Sequence, residues 1–104
     1  MIPLIDQHRP KLIELCKQYR VQRLDLFGSA AKGMFKPESS DLDFIARFAE
    51  TASPDYADRY YYFAESLESL FNRRVDLLTE RMVGQGEFRV MVEPTRQVIY
   101  EQRS

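Results

Sequence analysis

The chain has 104 residues, with 15 Lys and Arg against 16 Asp and Glu and a formal net charge of -1. That length suits one small domain with an ordinary core, and the charge balance lacks the basic excess of a non-specific nucleic-acid binder, so no direct DNA binding is expected; a nucleotide, whose charge a metal can meet, is not excluded. One cysteine, Cys16, forms neither an internal disulfide nor a cysteine metal cluster, no secretory signal is visible, and no apolar run approaches the ~20 residues that span a bilayer, so the expected setting is cytoplasmic, with no membrane partner.

Residues 3–20 read as a helix. Pro3 suits its first turn, and Ile5, Leu12, Cys16 and Tyr19 recur at helical spacing as a buried stripe. Residues 22–27, QRLDLF, alternate polar and apolar as a strand that runs straight into Gly28-Ser29. From residue 29 to 40 a short helical turn gives way to a loop with Gly33, Pro37, Ser39 and Ser40 as breakers. Residues 41–48, DLDFIARF, form a second strand with Leu42, Phe44, Ala46 and Phe48 on one face and Asp41 and Asp43 on the other.

Ser53-Pro54-Asp55 starts a helix that runs to about Asn72, carrying Tyr56, Tyr60, Phe63, Leu67, Leu70 and Phe71 at helical intervals. Residues 73–79 form a third strand centred on VDLL. Gly84 and Gly86 interrupt any helix across 80–93, and Pro94 separates that stretch from a terminal strand, RQVIYE. The order α-β-α-β-α-β-(α)-β implies an α+β fold, a mixed sheet of about four strands with helices packed on it, over 1–104 as a single domain.

The chemistry is concentrated in three carboxylates. Asp41 and Asp43 share a strand face roughly 7 Å apart, and two unpaired charges in a dry core cost several kcal/mol each, about the scale of a whole fold's stability. A cation between them is therefore expected, and Mg²⁺, which takes oxygen ligands from one or two carboxylates plus substrate phosphates, suits the donors. Asp76 sits inside the apolar VDLL; beside the Asp41 strand it would complete a site in which two ions bridge the attacking and leaving oxygens. Gly28-Ser29 ends a strand at a turn, where Gly admits close backbone approach and Ser29 can donate to phosphate oxygens; Lys32 follows one turn later.

The run LFGSAAKGMFKPESSDLDFIARF resembles the signature of the polymerase-β-type nucleotidyltransferase superfamily, in which Gly-Ser is followed after a short loop by Asp-x-Asp. The short chain is similar to its minimal nucleotidyltransferase (MNT) group, from about Val21 to Thr79 and weakly to RQVIYE. The resemblance implies phosphate contacts at Gly28 and Ser29, metal ligation by Asp41, Asp43 and Asp76, and transfer of a nucleoside monophosphate from ATP or another NTP to a hydroxyl. It further implies a toxin–antitoxin setting with a HEPN-domain toxin partner, some such proteins neutralising the toxin by placing AMP on a tyrosine. A domain this short leaves little room for an acceptor-binding subdomain, so the acceptor is expected on a partner chain or at a homo-oligomer interface. Three departures stand out: the loop between Ser29 and Asp41 is one residue longer than usual, Lys32 replaces a common Arg, and Gly84, Gly86 and Pro94 interrupt a usually regular helix. Two other readings stay open, a module that masks a partner with weak or no catalysis, and transfer to a small-molecule acceptor.

The remaining standouts read as structural. His8 is expected on the exposed side of the first helix, Cys16 as a small core residue, and Arg73 and Arg74 as solvated or structural. A helix buries only part of the Tyr56, Tyr60, Tyr61, Tyr62 and Phe63 set, so some rings are expected to be exposed.

Overall fold

The computed structural model describes residues 1–33 and 41–103. The expected breakers Pro37, Ser39 and Ser40 lie outside the described residues. Helix α1 spans Pro3–Gln18, with proline at its start and Ile5, Leu12, Leu15 and Cys16 buried. Strand β1, Val21–Phe27, leads directly into the single turn α2, Gly28–Ala31. Strand β2, Leu42–Phe48, is followed by α3, Tyr56–Phe71, and β3, Val75–Thr79. Asn72 closes α3 in the left-handed conformation, a common helix ending for Asn.

The stretch interrupted by Gly84 and Gly86 resolves into two short helices, α4 (Glu80–Val83) and α5 (Glu87–Val92), and a 3-10 turn, Glu93–Thr95. The Thr79 hydroxyl accepts the Met82 N–H and caps α4; Gly84 ends it at φ 72°. Strand β4, Gln97–Glu101, completes a four-stranded sheet in the order β3-β2-β1-β4. The β1–β2 and β1–β4 pairs are antiparallel, and β2–β3, joined by the α3 crossover, is parallel.

The sheet is covered on both faces. Leu24, Leu26, Phe44, Ala46 and Leu77 meet Leu12, Cys16, Phe63, Leu67 and Phe71 of α1 and α3 in the main core. Alternate residues Phe27, Ile45 and Leu78 meet Val83 and Val92 of α4 and α5 in a smaller second core. Each sheet edge has a carbonyl taken by a side chain: Arg9 donates to Ile99 O at 3.0 Å, and the Tyr60 hydroxyl donates to Leu77 O. Those bonds satisfy backbone acceptors left unpaired at the edges.

An alternating β1 is expected to turn its polar residues to solvent, but Asp25 is fully buried, on the strand face it shares with Phe27 of the second core. It is compensated by two guanidinium groups, Arg23 at 2.9 Å and Arg96 at 2.8 Å. Arg96 also grips Glu80 and Glu93, and Arg89 reaches the same two carboxylates at 2.9 and 2.8 Å. This network ties the C-terminal helices to the middle of the sheet. His8, expected outside, is half-buried: Phe71 packs edge-on against its ring at 5.2 Å, because α3 crosses beside α1 there. Arg59, polar in sequence, is 5% exposed and donates to Tyr19 O and Glu50 O, closing the loops at that end. Cys16 is a core residue as expected, its thiol pushed up to about 12 by burial. Tyr61 and Tyr62 are exposed, whereas Tyr56 and Tyr60 pack on Phe48.

Two predictions follow from the ion network. Replacing Asp25 with Ala takes one of three carboxylates from Arg96 and leaves Glu80 and Glu93; denaturant unfolding should show a loss of about 1–3 kcal/mol. The Arg96 hydrogen bond, aided by Arg89, lowers the Glu80 carboxyl from 4.5 to about 2. A carboxyl lowered by folding adds stability above its unfolded value and loses it as pH falls through the folded one. Wild type should therefore melt above Glu80→Gln at pH 6, and the gap should close between pH 4.5 and 2.

Candidate active site

The end of β1 and the starts of β2 and β3 meet at one end of the sheet. In the parallel β2–β3 ladder Asp43 stands opposite Asp76, and in the antiparallel β1–β2 ladder Asp43 stands opposite Phe27, the residue before Gly28. The pattern of the flanking residues explains the aim. Leu42 and Phe44 fill the main core, so Asp43 between them projects from the other face, and the same parity holds for Asp76 beside Leu77. Asp76 is therefore on the same side of the sheet as Asp43.

The two residues are direct neighbours across the ladder. Burial, first, and then the hydrogen bond and negative charge of Asp76 raise the Asp43 carboxyl from 3.8 to about 6; the charge of Asp41 adds to the effect. Asp41 is half-buried just ahead of β2. Asp76 is exposed rather than enclosed, because β3 is an edge strand and only one side of it is paired. Among the described residues no three acidic, imidazole or thiol side chains are drawn into a metal-holding group; Asp43 and Asp76 are paired in register, and Asp41 stands just ahead of them. The donor set nevertheless fits a hard divalent cation: all three are carboxylates, and a cation would offset both the burial of the Asp43 charge and its repulsion by Asp76 and Asp41.

Gly28 forms the wall of this site. Its φ is +74°, and a Cβ built there would lie 2.5 Å from Asp43 Oδ2. Only glycine supplies both the conformation and the space. Ser29 is half-buried in the following turn. Lys32, exposed at the C-terminal cap of α2, lines a shallow cavity with Ala31, Gly33 and Gln97. Arg73, half-buried, has its Nε within 3.4 Å of Phe71 O, in keeping with a structural role. Thr95, which sequence reading passed over, accepts the Gly28 N–H at 3.2 Å. A single Thr beside a proline carries no local signal of such a contact; it arises only because the chain returns to the sheet there.

The family model described as a nucleotidyltransferase domain matches residues 9–99. The chain belongs to the nucleotidyltransferase domain family. A Methanocaldococcus jannaschii protein named "Putative protein adenylyltransferase MJ1215" is 39% identical over 70 residues, which cover 67% of this chain and 77% of that protein. The solved "Structure of putative minimal nucleotidyltransferase" superposes with a TM-score of 0.70 at 29% identity, covering 89% of this chain and 90% of that one. A chain of the solved "tri-AMPylated Shewanella oneidensis HEPN toxin in complex with MNT antitoxin" matches at TM-score 0.62 and 20% identity, covering 93% of this chain and 72% of its own, a likeness of fold. The family match runs through the stretch containing Gly84, Gly86 and Pro94, so those breaks are accommodated within the fold.

Gly28→Ala and Gly33→Ala separate backbone strain from steric conflict. Gly33, at φ +75°, has nothing among the described residues within 4 Å of a built Cβ, so its substitution should cost about 1–2 kcal/mol, that of a left-handed non-glycine residue. Gly28→Ala should cost more by denaturant unfolding, and the excess should vanish in an Asp43→Ala background.

Proposed function

We propose that this chain transfers AMP from ATP to a hydroxyl of a partner protein, a tyrosine of a HEPN-type toxin, and acts as the antitoxin of that pair. The observation that carries the reading is the Asp43–Asp76 pair, set in register across a parallel ladder and walled by Gly28. Family membership supports the class of reaction. The name of the Methanocaldococcus jannaschii relative supports a protein acceptor, and the fold likeness to a chain of the HEPN–MNT complex supports the partner.

Asp41, Asp43 and Asp76 would hold the divalent cations, two Mg²⁺ ions in this reading, which when bound neutralise the triphosphate and favour attack on its α-phosphorus. The Ser29 hydroxyl and the turn that carries it donate to phosphate oxygens, and Lys32 adds positive charge from the end of that turn. Asp76, open to solvent on the edge strand, is the carboxylate an incoming acceptor reaches, and it takes the acceptor's proton. The acceptor oxygen forms a bond to the α-phosphorus, the α–β phosphoanhydride breaks, and pyrophosphate leaves. Most of the acceleration comes from positioning and charge compensation around phosphates that react in line.

The test is incubation of the chain and its partner toxin with ATP labelled at the α-phosphate. Wild type should label a tyrosine of the partner, and Asp43→Ala should reduce the rate by at least about 100-fold. Equal labelling by both proteins rejects the assignment. A tight complex without label, unaffected by Asp43→Ala, would instead support masking of the partner.

A further inference from the structure

Thr95 lies 67 positions from Gly28 in the chain, in the 3-10 turn that precedes β4. Its hydroxyl is used twice. It donates its proton to Val92 O at 2.8 Å, and its oxygen accepts the Gly28 N–H at 3.2 Å. Because a hydroxyl has one proton, committing it to Val92 leaves lone pairs aimed at Gly28, and rotation about the side chain would break both bonds together. The turn itself is anchored: the next residue, Arg96, holds the buried Asp25 and, on the outer side, Glu93 at 2.7 Å. One residue further, the Gln97 side-chain amide donates to Ala31 O at 2.9 Å. The segment 28–31 is thus gripped at its first residue by Thr95 and at its last by Gln97.

This grip matters because Gly28 and Asp43 are in direct apposition. A Cβ at Gly28 would meet Asp43 Oδ2 at 2.5 Å, so whatever fixes Gly28 fixes the wall against which the Asp43 carboxylate rests. The Gly28 amide is also already bonded and is not a free donor for a ligand. We propose that Thr95 is a positioning residue of this site: its hydroxyl locks Gly28 against Asp43, sets the carboxylate and Ser29 for a bound triphosphate, and leaves phosphate recognition to Ser29 rather than to the Gly28 amide. This deepens the transferase reading above and rests on it.

Thr95→Val removes the hydroxyl and keeps the shape; Thr95→Ser keeps the hydroxyl. Two measurements on the full chain decide the matter, both at a temperature where melting curves show every variant folded. The first is hydrogen exchange of the Gly28 amide by NMR without nucleotide. It should be at least about tenfold faster in Thr95→Val and return to the wild-type rate in Thr95→Ser. The second is calorimetric binding of ATP with Mg²⁺, whose Kd should rise by about tenfold in Thr95→Val and recover in Thr95→Ser. A Thr95→Val protein with wild-type Gly28 exchange and wild-type Kd overturns the inference, while Asp43→Ala, measured beside it, still reports on the transferase reading. If Asp43→Ala binds ATP as wild type does, that reading fails and takes the triphosphate half of the inference with it, and Gly28 exchange alone decides whether Thr95 locks the turn.

Discussion

The parallel pairing of β2 with β3 brings Asp43 and Asp76 into one register, side by side at the end of the sheet. Burial and, after it, the neighbouring Asp76 hold the Asp43 carboxyl above the usual range. The arrangement persists because the hydrophobic neighbours decide it. Leu42, Phe44 and Leu77 must enter the main core, and the strict alternation of a strand then sends both aspartates to the opposite side. A one-residue slip of either strand would drive a carboxylate into that core and expose a leucine or phenylalanine. The burial of those apolar side chains, at about 2–3 kcal/mol each, outweighs the repulsion between partly exposed acids. The fold thus holds in place an excess of negative charge that a divalent cation can offset.

The second core is held together differently. α4, α5 and the 3-10 turn are short, and none carries enough apolar surface to be stable alone. They are held by Val83 and Val92 against Phe27 and Ile45, and by Arg96 on the fully buried Asp25. A buried ion pair of this kind contributes little net stability against a hydrophobic alternative, but Arg96, which also binds Glu80 and Glu93, is held from several sides and fixes the geometry of the segment. The consequence is positional: Thr95 and Gln97, on either side of Arg96, meet the two ends of the turn that follows β1. The same segment that covers the sheet also shapes the wall of the site.

Much of this was legible in the chain. The helix after Pro3, the strand before Gly28, the DLDFIARF strand and the tyrosine-rich helix all appear within a few residues of their expected bounds, because each has a clean apolar period. The position of Asp41 and Asp43 opposite Leu42, Phe44, Ala46 and Phe48 follows from alternation alone, and the family signature around Gly28, Ser29 and the two aspartates was readable by eye. The stretch from Glu80 to Thr95 was not readable as structure, since helices of four and six residues leave no period to detect and the two glycines hide the caps between them. Asp25 was hidden by the same alternation that revealed β1, because a polar residue on a strand's second face looks solvated until something covers it.

The residues by themselves determined the longer elements and their amphipathic faces and singled out three candidate carboxylates, since these depend only on neighbours close in the chain. Which strands lie together did not follow from them. The parallel register that sets Asp43 against Asp76, the edge position that leaves Asp76 open, and the return of Thr95 to Gly28 are long-range contacts, decided when separate elements compete to bury one another's apolar faces. Local pattern carries no record of that competition, and only the packed chain resolves it.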